Sequence, residues 1–321
     1  MDRRSSTRAM VESALLSAIA VILVIISINL PIFYFVGLFM GMLPITLIYL
    51  RSGFKFALMS SFVVAAVSAI TIDPLGGISL AVIFSMIGLV MGYCIKKQKG
   101  STTTILYMSV VIFIALIIGI KLTSLLIGQD SIEQMMKVME SNFKFARETY
   151  VKMGIPKQSL EVIDNFIKSI PMMKVIIPTA LIFSAVFQAF ISYIISRKIL
   201  QRFGYNLEKV KTLSQWYVSA QLAMPIMIIY IISIILYMYR PETKAYIINA
   251  QYMFMTIFFI NGIAALDSFL KKKEVAKGLR ILIIFFCINP GLERILFFVG
   301  LFDYLFNFRG LDKTRRPLLK K

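Results

Sequence analysis

The sequence predicts an all-α, polytopic helical membrane protein, on three observations. Of 321 residues, 59% are hydrophobic, and they gather in runs of about 18 or more, long enough to cross a bilayer as helix. The runs are continuous rather than alternating, which argues against a β-barrel. The charges, formally +19 net, fall in short clusters between the runs, as topology signals do, rather than as a nucleic-acid surface. Mean hydropathy is +0.82, and about eight or nine membrane helices are expected.

The first span is expected over 9–28, after the basic start "MDRRSSTRAM". No A-x-A cleavage site ends its apolar run, so it reads as a retained helix, not a signal peptide. Asn29 and Pro31 break the chain before a span over 33–50, and Arg51 and Lys55 mark a basic return to a span over 56–72. The turn "IDPLGG" leads to a span over 78–95 that ends in "KKQKG", followed by one over 103–127. The polar stretch 128–169 carries opposite charges three or four apart. Met135, Met136, Met139, Phe143 and Ala146 make a helical stripe there. It predicts one or two amphipathic helices outside the bilayer or on its surface, divided at "GIPKQ". Leu160, Ile163, Phe166 and Ile167 carry the second stripe.

Spans over 172–195, 216–239 and 248–270 follow; Trp216, Tyr217, Tyr237 and Tyr239 give the middle one aromatic ends. The last apolar stretch, 281–308, is interrupted by "INPG". Two short helices that enter and leave are favoured over one kinked span, because they leave the tail "DKTRRPLLKK" on the same side as the other basic loops. With a cytoplasmic N-terminus, every basic loop falls inside, and the outside loops are uncharged, acidic or balanced. The chain reads as a front membrane core, 1–196, carrying the 128–169 insertion. Additional helices and a basic cytoplasmic tail occupy 197–321.

Composition also narrows the chemistry. There is no histidine, so the commonest metal ligand and neutral-pH base are missing. Cys94 and Cys287 both sit in apolar runs and need not pair. No phosphate-cradling glycine loop is present, so the chain carries no ATPase of its own. No acidic cluster lies at one membrane face, and the expectation is a non-enzyme with no cofactor or metal. The expected surroundings are the lipid bilayer of a bacterial plasma membrane, with no nucleic acid partner.

Small residues gather on one side of the first span: Ala14, Ser17 and Ala18, beside Ser13 and Ala20. In lipid such residues let backbones approach closely, so they mark a docking face. The plainer reading is packing within the chain. Asn29, Asp73, Lys121, Gln188 and Ser192 are the candidate lining of an external pocket. Each has a plainer role: turn chemistry for Asn29 and Asp73, snorkelling for Lys121, interhelical hydrogen bonding for Gln188 and Ser192. Asn261 and Asp267 fall in the eighth span, with Asp267 expected to pair at the surface with Lys271. Glu293 and Arg294 follow the "INPG" break and are candidates to pair with each other's neighbours inside the bundle.

Two resemblances sharpen these readings. Arg3, Arg4 and Arg8, followed by Ala14-Leu-Leu-Ser-Ala18, resemble the first helix of the substrate-binding S component of energy-coupling-factor (ECF) vitamin transporters. Gly41, Pro44 and Gly53 punctuate the next helices in a similar way. The resemblance implies a six-helix S-component-like core that captures a small solute. Ala14, Ser17 and Ala18 would then contact a transmembrane coupling subunit that works with separate ATPases. Over its full length the chain is similar to the YybS-like family of bacterial membrane proteins. The segment "VGLFDYLFNFRG", with Gly300, Asp303 and Arg309, carries that likeness. The chain departs from the vitamin transporters in its extra spans, the 128–169 insertion, and a pocket region without an obvious polar ligand set. A second function class is therefore carried alongside: a membrane scaffold or assembly factor whose contacts lie on the 128–169 stretch.

Overall fold

The computed structural model describes residues 3–72, 74–289 and 291–312. All of its regular elements are helical, and eight of the helical stretches are long and apolar enough to cross a membrane. The expected architecture, an all-α polytopic membrane protein, is the one observed. The chain divides into two units.

The first unit comprises 1–174 and 180–210. Helix α1 (Arg3–Asn29) turns Ser13, Ser17, Ala20 and Val24 inward, at spacings of three and four that make one face. The Ser17 hydroxyl donates to the Ser13 carbonyl at 2.7 Å, so it is satisfied without a neighbouring helix. The second span is broken at Gly41–Met42 into α2 (Tyr34–Met40) and α3 (Leu43–Ser52). Every residue of α3 from Leu43 to Tyr49 is buried, as expected of a helix apolar all round. Around it pack α1, α4 (Phe54–Thr71) and α5 (Pro74–Lys96). A Cβ on Gly88 of α5 would stand 2.7 Å from the Met42 carbonyl oxygen. Bare backbone therefore lets α3 and α5 touch, and Thr46 uses that closeness to donate to the Gly88 carbonyl at 3.2 Å.

Helix α6 (Ser101–Ile127) follows a tight turn and starts against Glu208, whose carboxylate accepts from the Ser101 amide at 2.6 Å. An acid at a helix N-terminus meets both orphan amides and the helix dipole. Asp130 does the same for α7 (Ser131–Lys152), accepting from the amides of Ile132 and Glu133 at 2.9 and 3.1 Å. Those bonds hold its carboxyl below the ordinary range.

The 128–169 stretch differs from its expected form. Only α7 is a separate helix. The second stripe is the start of α8 (Lys157–Arg202), which runs for 46 residues through the sixth span without a break. Helix α7 and the start of α8 pair side by side. Arg147 donates to both Asp164 oxygens at 2.5 and 3.2 Å, and Phe143 lies 4.3 Å from Phe166 between ring centres. Met136 and Leu160 are buried there. After α8 the chain folds back, with the Tyr193 hydroxyl donating to the Glu208 carbonyl at 2.9 Å.

The second unit comprises 175–179 and the residues from 211 onward. It holds α9 (Ala220–Tyr239), α10 (Lys244–Lys272), α11 (Lys277–Cys287) and α12 (Glu293–Phe306). The stretch 281–308 is thus two short helices, with Gly291 at φ +108° in the break. The 175–179 segment of α8 belongs here because Asn249 of α10 grips it. Pro178 has no amide to give to the helix. The Asn249 carboxamide donates to the Val175 carbonyl at 2.8 Å and accepts from the Thr179 hydroxyl at 2.8 Å.

Candidate functional site

The most polar buried place in the second unit begins with two glycines. A Cβ on Gly262 of α10 would lie 1.8 Å from the Leu296 carbonyl oxygen, and one on Gly300 of α12 would lie 1.9 Å from that of Phe258. The two helices cross backbone against backbone, and only glycine permits it. Phe254, Phe258, Phe297 and Tyr304 close round the crossing with ring centres 4.9 to 6.3 Å apart. The same crossing brings Asn261, 2% exposed, against Asp303. The Asn261 amide donates to the Gly300 carbonyl at 2.8 Å and to Asp303 Oδ2 at 3.2 Å.

Helix α12 ends at Asn307, which takes the left-handed conformation at φ 47°. Asparagine tolerates this geometry, and it turns the chain sharply. Asn307 then clasps its own loop, donating to the Asp312 carbonyl at 2.9 Å and accepting from the Asp312 amide at 3.2 Å. The turn aims Arg309 back at Asp303. Its Nε and Nη2 donate to Asp303 Oδ2 at 3.0 and 2.7 Å, Nη2 also reaches Asn261 Oδ1 at 2.8 Å, and Nη1 reaches the Ser214 carbonyl at 3.4 Å. Both charged side chains are only 7% exposed. A pair this buried is stable only because further hydrogen bonds complete it. Asp303 Oδ1 is the exception, buried with no hydrogen-bond partner.

A second pair, Asp267 with Arg280 at 3.0 Å, ties α10 to α11. This corrects the expected surface pair of Asp267 with Lys271. Arg280 is presented from the next helix, and both side chains are at least 85% removed from solvent. Glu293 and Arg294 are exposed rather than inside the bundle.

Beside the Asp303–Arg309 pair lies a cleft of about 550 Å³ walled by α10, α11 and α12. Its lining is mostly apolar, with Leu266, Phe269, Ile295 and Val299 on the walls, and it also carries Ser268, Lys272, Asp303 and Arg309. A second space of about 10 Å³, no larger than a water, lies among Asn261, Asp303, Asn307 and Asp312.

The residues singled out in the first unit are placed as follows. Ala14 and Ala18 are exposed, while Ser17 is buried on the inner face of α1. Asn29 is exposed and donates to the Ile25 carbonyl at 2.9 Å, closing its own helix end. Lys121 is exposed on the last turns of α6. Gln188 and Ser192 lie one turn apart on α8, both buried. The Gln188 amide reaches the Leu38 carbonyl at 3.4 Å, and the Ser192 hydroxyl is without a partner. Asp73 lies outside the described residues. The structure brings Gln188 and Ser192 together and leaves Asn29 and Lys121 at helix ends.

The cluster of Asn261, Asp303 and Arg309 was not assembled from the sequence, although Asp303 and Arg309 stood in the "VGLFDYLFNFRG" segment. A membrane protein family model described as "Predicted membrane protein (DUF2232)" matches residues 18–304. The chain belongs to this family. The match takes in Asn261, Gly262, Gly300 and Asp303 and ends before Arg309. The chain is also 21% identical over 317 residues to a Bacillus subtilis (strain 168) protein named "Uncharacterized protein YybS", covering 96% of this chain and 99% of that one. The similarity to YybS-like proteins is therefore nearly full-length. No solved structure matches the chain.

Proposed function

We propose that this DUF2232 membrane protein is a transport-related, solute-binding subunit that works by docking on another membrane protein. It would resemble an ECF S component, hold no ATPase, and perform no chemistry of its own. Its N-terminus would lie in the cytoplasm. The observation that supports docking is the exposure of Ala14 and Ala18 on α1. Internal packing uses a different face, that of Ser13, Ser17, Ala20 and Val24. Two alanines one turn apart, among exposed Val11, Leu15 and Ile22, leave a shallow surface on which a partner helix packs closely. The solute-binding half of the reading rests on the resemblance alone.

The test is a native pull-down of the wild-type chain and of the Ala14→Leu/Ala18→Leu variant from their own cells. Recovery of a transmembrane coupling subunit with its ATPases by the wild type, and their loss in the variant, supports the reading. Identical recovery by both chains removes the α1 face from it. Recovery of a synthesis, division or signalling protein with no ATPase overturns transport in favour of a scaffold. One observation favours that second reading: Met135, Val138 and Phe145 of α7 and Val162 of α8 are exposed on the paired α7–α8 segment.

A further inference from the structure

We propose that the cleft of the second unit binds an anionic amphiphile, a fatty-acid carboxylate, whose hydrocarbon part lies along α10 and α12 and whose head meets Lys272 and Ser268 of α10. This goes beyond the docking reading and does not depend on it. At about 550 Å³ the cleft has the size of a small-molecule site. Leu266, Phe269, Ile295 and Val299 give it walls that suit a hydrocarbon chain, and the bilayer supplies such chains at high local concentration. Ser268 and Lys272 lie one turn apart on α10 and so share a face. Both line the cleft, and among the described residues neither makes a hydrogen bond or ion pair. Ser17 and Ser109 turn their hydroxyls onto their own helix, whereas Ser268 keeps its hydroxyl free. An ammonium and a hydroxyl one turn apart offer donors to both oxygens of one carboxylate.

Charge selects the head. Asp303 and Arg309 also line the cleft, but they neutralise each other and are only 7% exposed. Lys272 is therefore the uncompensated charge of the lining. Lys271 and Lys273 flank it, and the three cations outweigh the negative end of the α10 dipole. A carboxylate head gains an ion pair here, a neutral head gains none, and an ammonium head meets a like charge. Lys272 is also the last residue of a helix long enough to span, so its ammonium reaches the level of lipid head groups while its stem lies along the apolar wall.

The experiment uses the full chain in phosphatidylcholine nanodiscs and three photoreactive probes with the same diazirine-bearing chain: dodecanoate, its methyl ester and the primary amine. Labelling is run at mildly alkaline pH, where the acid is ionised and lysine stays charged, and labelled peptides are mapped by mass spectrometry. Dodecanoate is expected to label the 266–269 and 295–299 walls about fivefold more than the ester, the upper value of one exposed ion pair. Unlabelled dodecanoate should compete, and the amine should label less than the ester. Lys272→Gln should bring dodecanoate down to the ester's level, whereas Lys273→Gln should leave its preference in place. Both lysines are exposed, so both variants should keep helicity and melting. Ser268→Ala should lower dodecanoate labelling about twofold. Val299→Phe, which fills the cleft, should lower labelling of these walls by all three probes. Equal labelling by dodecanoate and ester, or a preference for the amine, overturns the proposal. Equal loss in the two lysine variants overturns it in favour of a diffuse basic surface. Displacement of the label by phosphatidylglycerol in the disc, stronger than by unlabelled dodecanoate, overturns the carboxylate in favour of a phospholipid head.

Discussion

The two units bury polarity in opposite ways. In the first, the inward polar groups are mostly neutral hydroxyls: Ser17, Ser27 and Ser109 bond to the carbonyl four residues back in their own helix, and Ser13, Ser68, Ser85, Ser192 and Ser196 make no hydrogen bond. Such groups ask nothing of the neighbouring helix, and packing there is decided by shape, as at Gly88. In the second, Arg309 draws together Ser214, Asn261 and Asp303 from three separate stretches of chain. The first arrangement tolerates substitution at any one hydroxyl. The second makes every member depend on the others, because a lone charge left inside is far more costly than a lone hydroxyl. Where a membrane protein concentrates buried charge, it also concentrates the consequences of mutation.

The largest break in that contrast should come at the glycine crossing. Gly300→Leu drives a side chain into the Phe258 carbonyl, and the loss should exceed about 3 kcal/mol, with melting of the second unit in detergent as the readout. Next comes the ion pair. Arg309→Gln strands Asp303 and should cost about 3–5 kcal/mol, whereas the double variant Asp303→Asn/Arg309→Gln should recover much of it. A double-mutant cycle on thermal melts measures the coupling. The matching change in the first unit, Gln188→Leu, removes one long hydrogen bond and should cost under about 1 kcal/mol by the same melts.

A smaller effect concerns pH. Asp130 and Glu133 are both held below the ordinary carboxylate range, Asp130 by the α7 amides and Glu133 by Lys137. Groups depressed in this way contribute stability that is complete above their unfolded value, about 4, and is lost as pH falls through the lowered folded value. Protection of the first-turn amides of α7, as exchange relative to the intrinsic rate at each pH, should therefore hold steady from neutrality to about pH 5 and fall below that, and Asp130→Ala should abolish the dependence on this cap. Smallest of all, Ala14→Leu/Ala18→Leu should leave the melting of the isolated protein unchanged, because both positions are exposed.

Much of the fold was legible because a membrane span announces itself locally. The eight spans, the break at 288–292 and the amphipathic stripe of α7 all follow from runs and periods inside one element. The continuity of α8 was not legible. The polar stretch was expected to end at 169 and the sixth span to begin at 172, but α8 runs unbroken through both, past Pro171 and Pro178, and Asn249 bonds to it beside Pro178 from another element. The charged cluster was hidden for a related reason. Asn261 stands 42 residues from Asp303 and 48 from Arg309, so no periodicity connects them. Asp267 misled through proximity, since Lys271 is one turn away and the true partner is thirteen residues on.

The length of α8 has a mechanical side. At about 1.5 Å per residue a helix of this size extends about 69 Å, against about 30 Å for the hydrocarbon layer. Set along the membrane normal, more than half of it would stand clear of the acyl chains, with α7 joined to its first part through Arg147 and the Phe143–Phe166 contact. A continuous helix of that length is a lever. A tilt of about 10° inside the layer sweeps a point about 35 Å along the rod through about 6 Å, so a displacement too small to repack the buried part would be plainly felt at its tip.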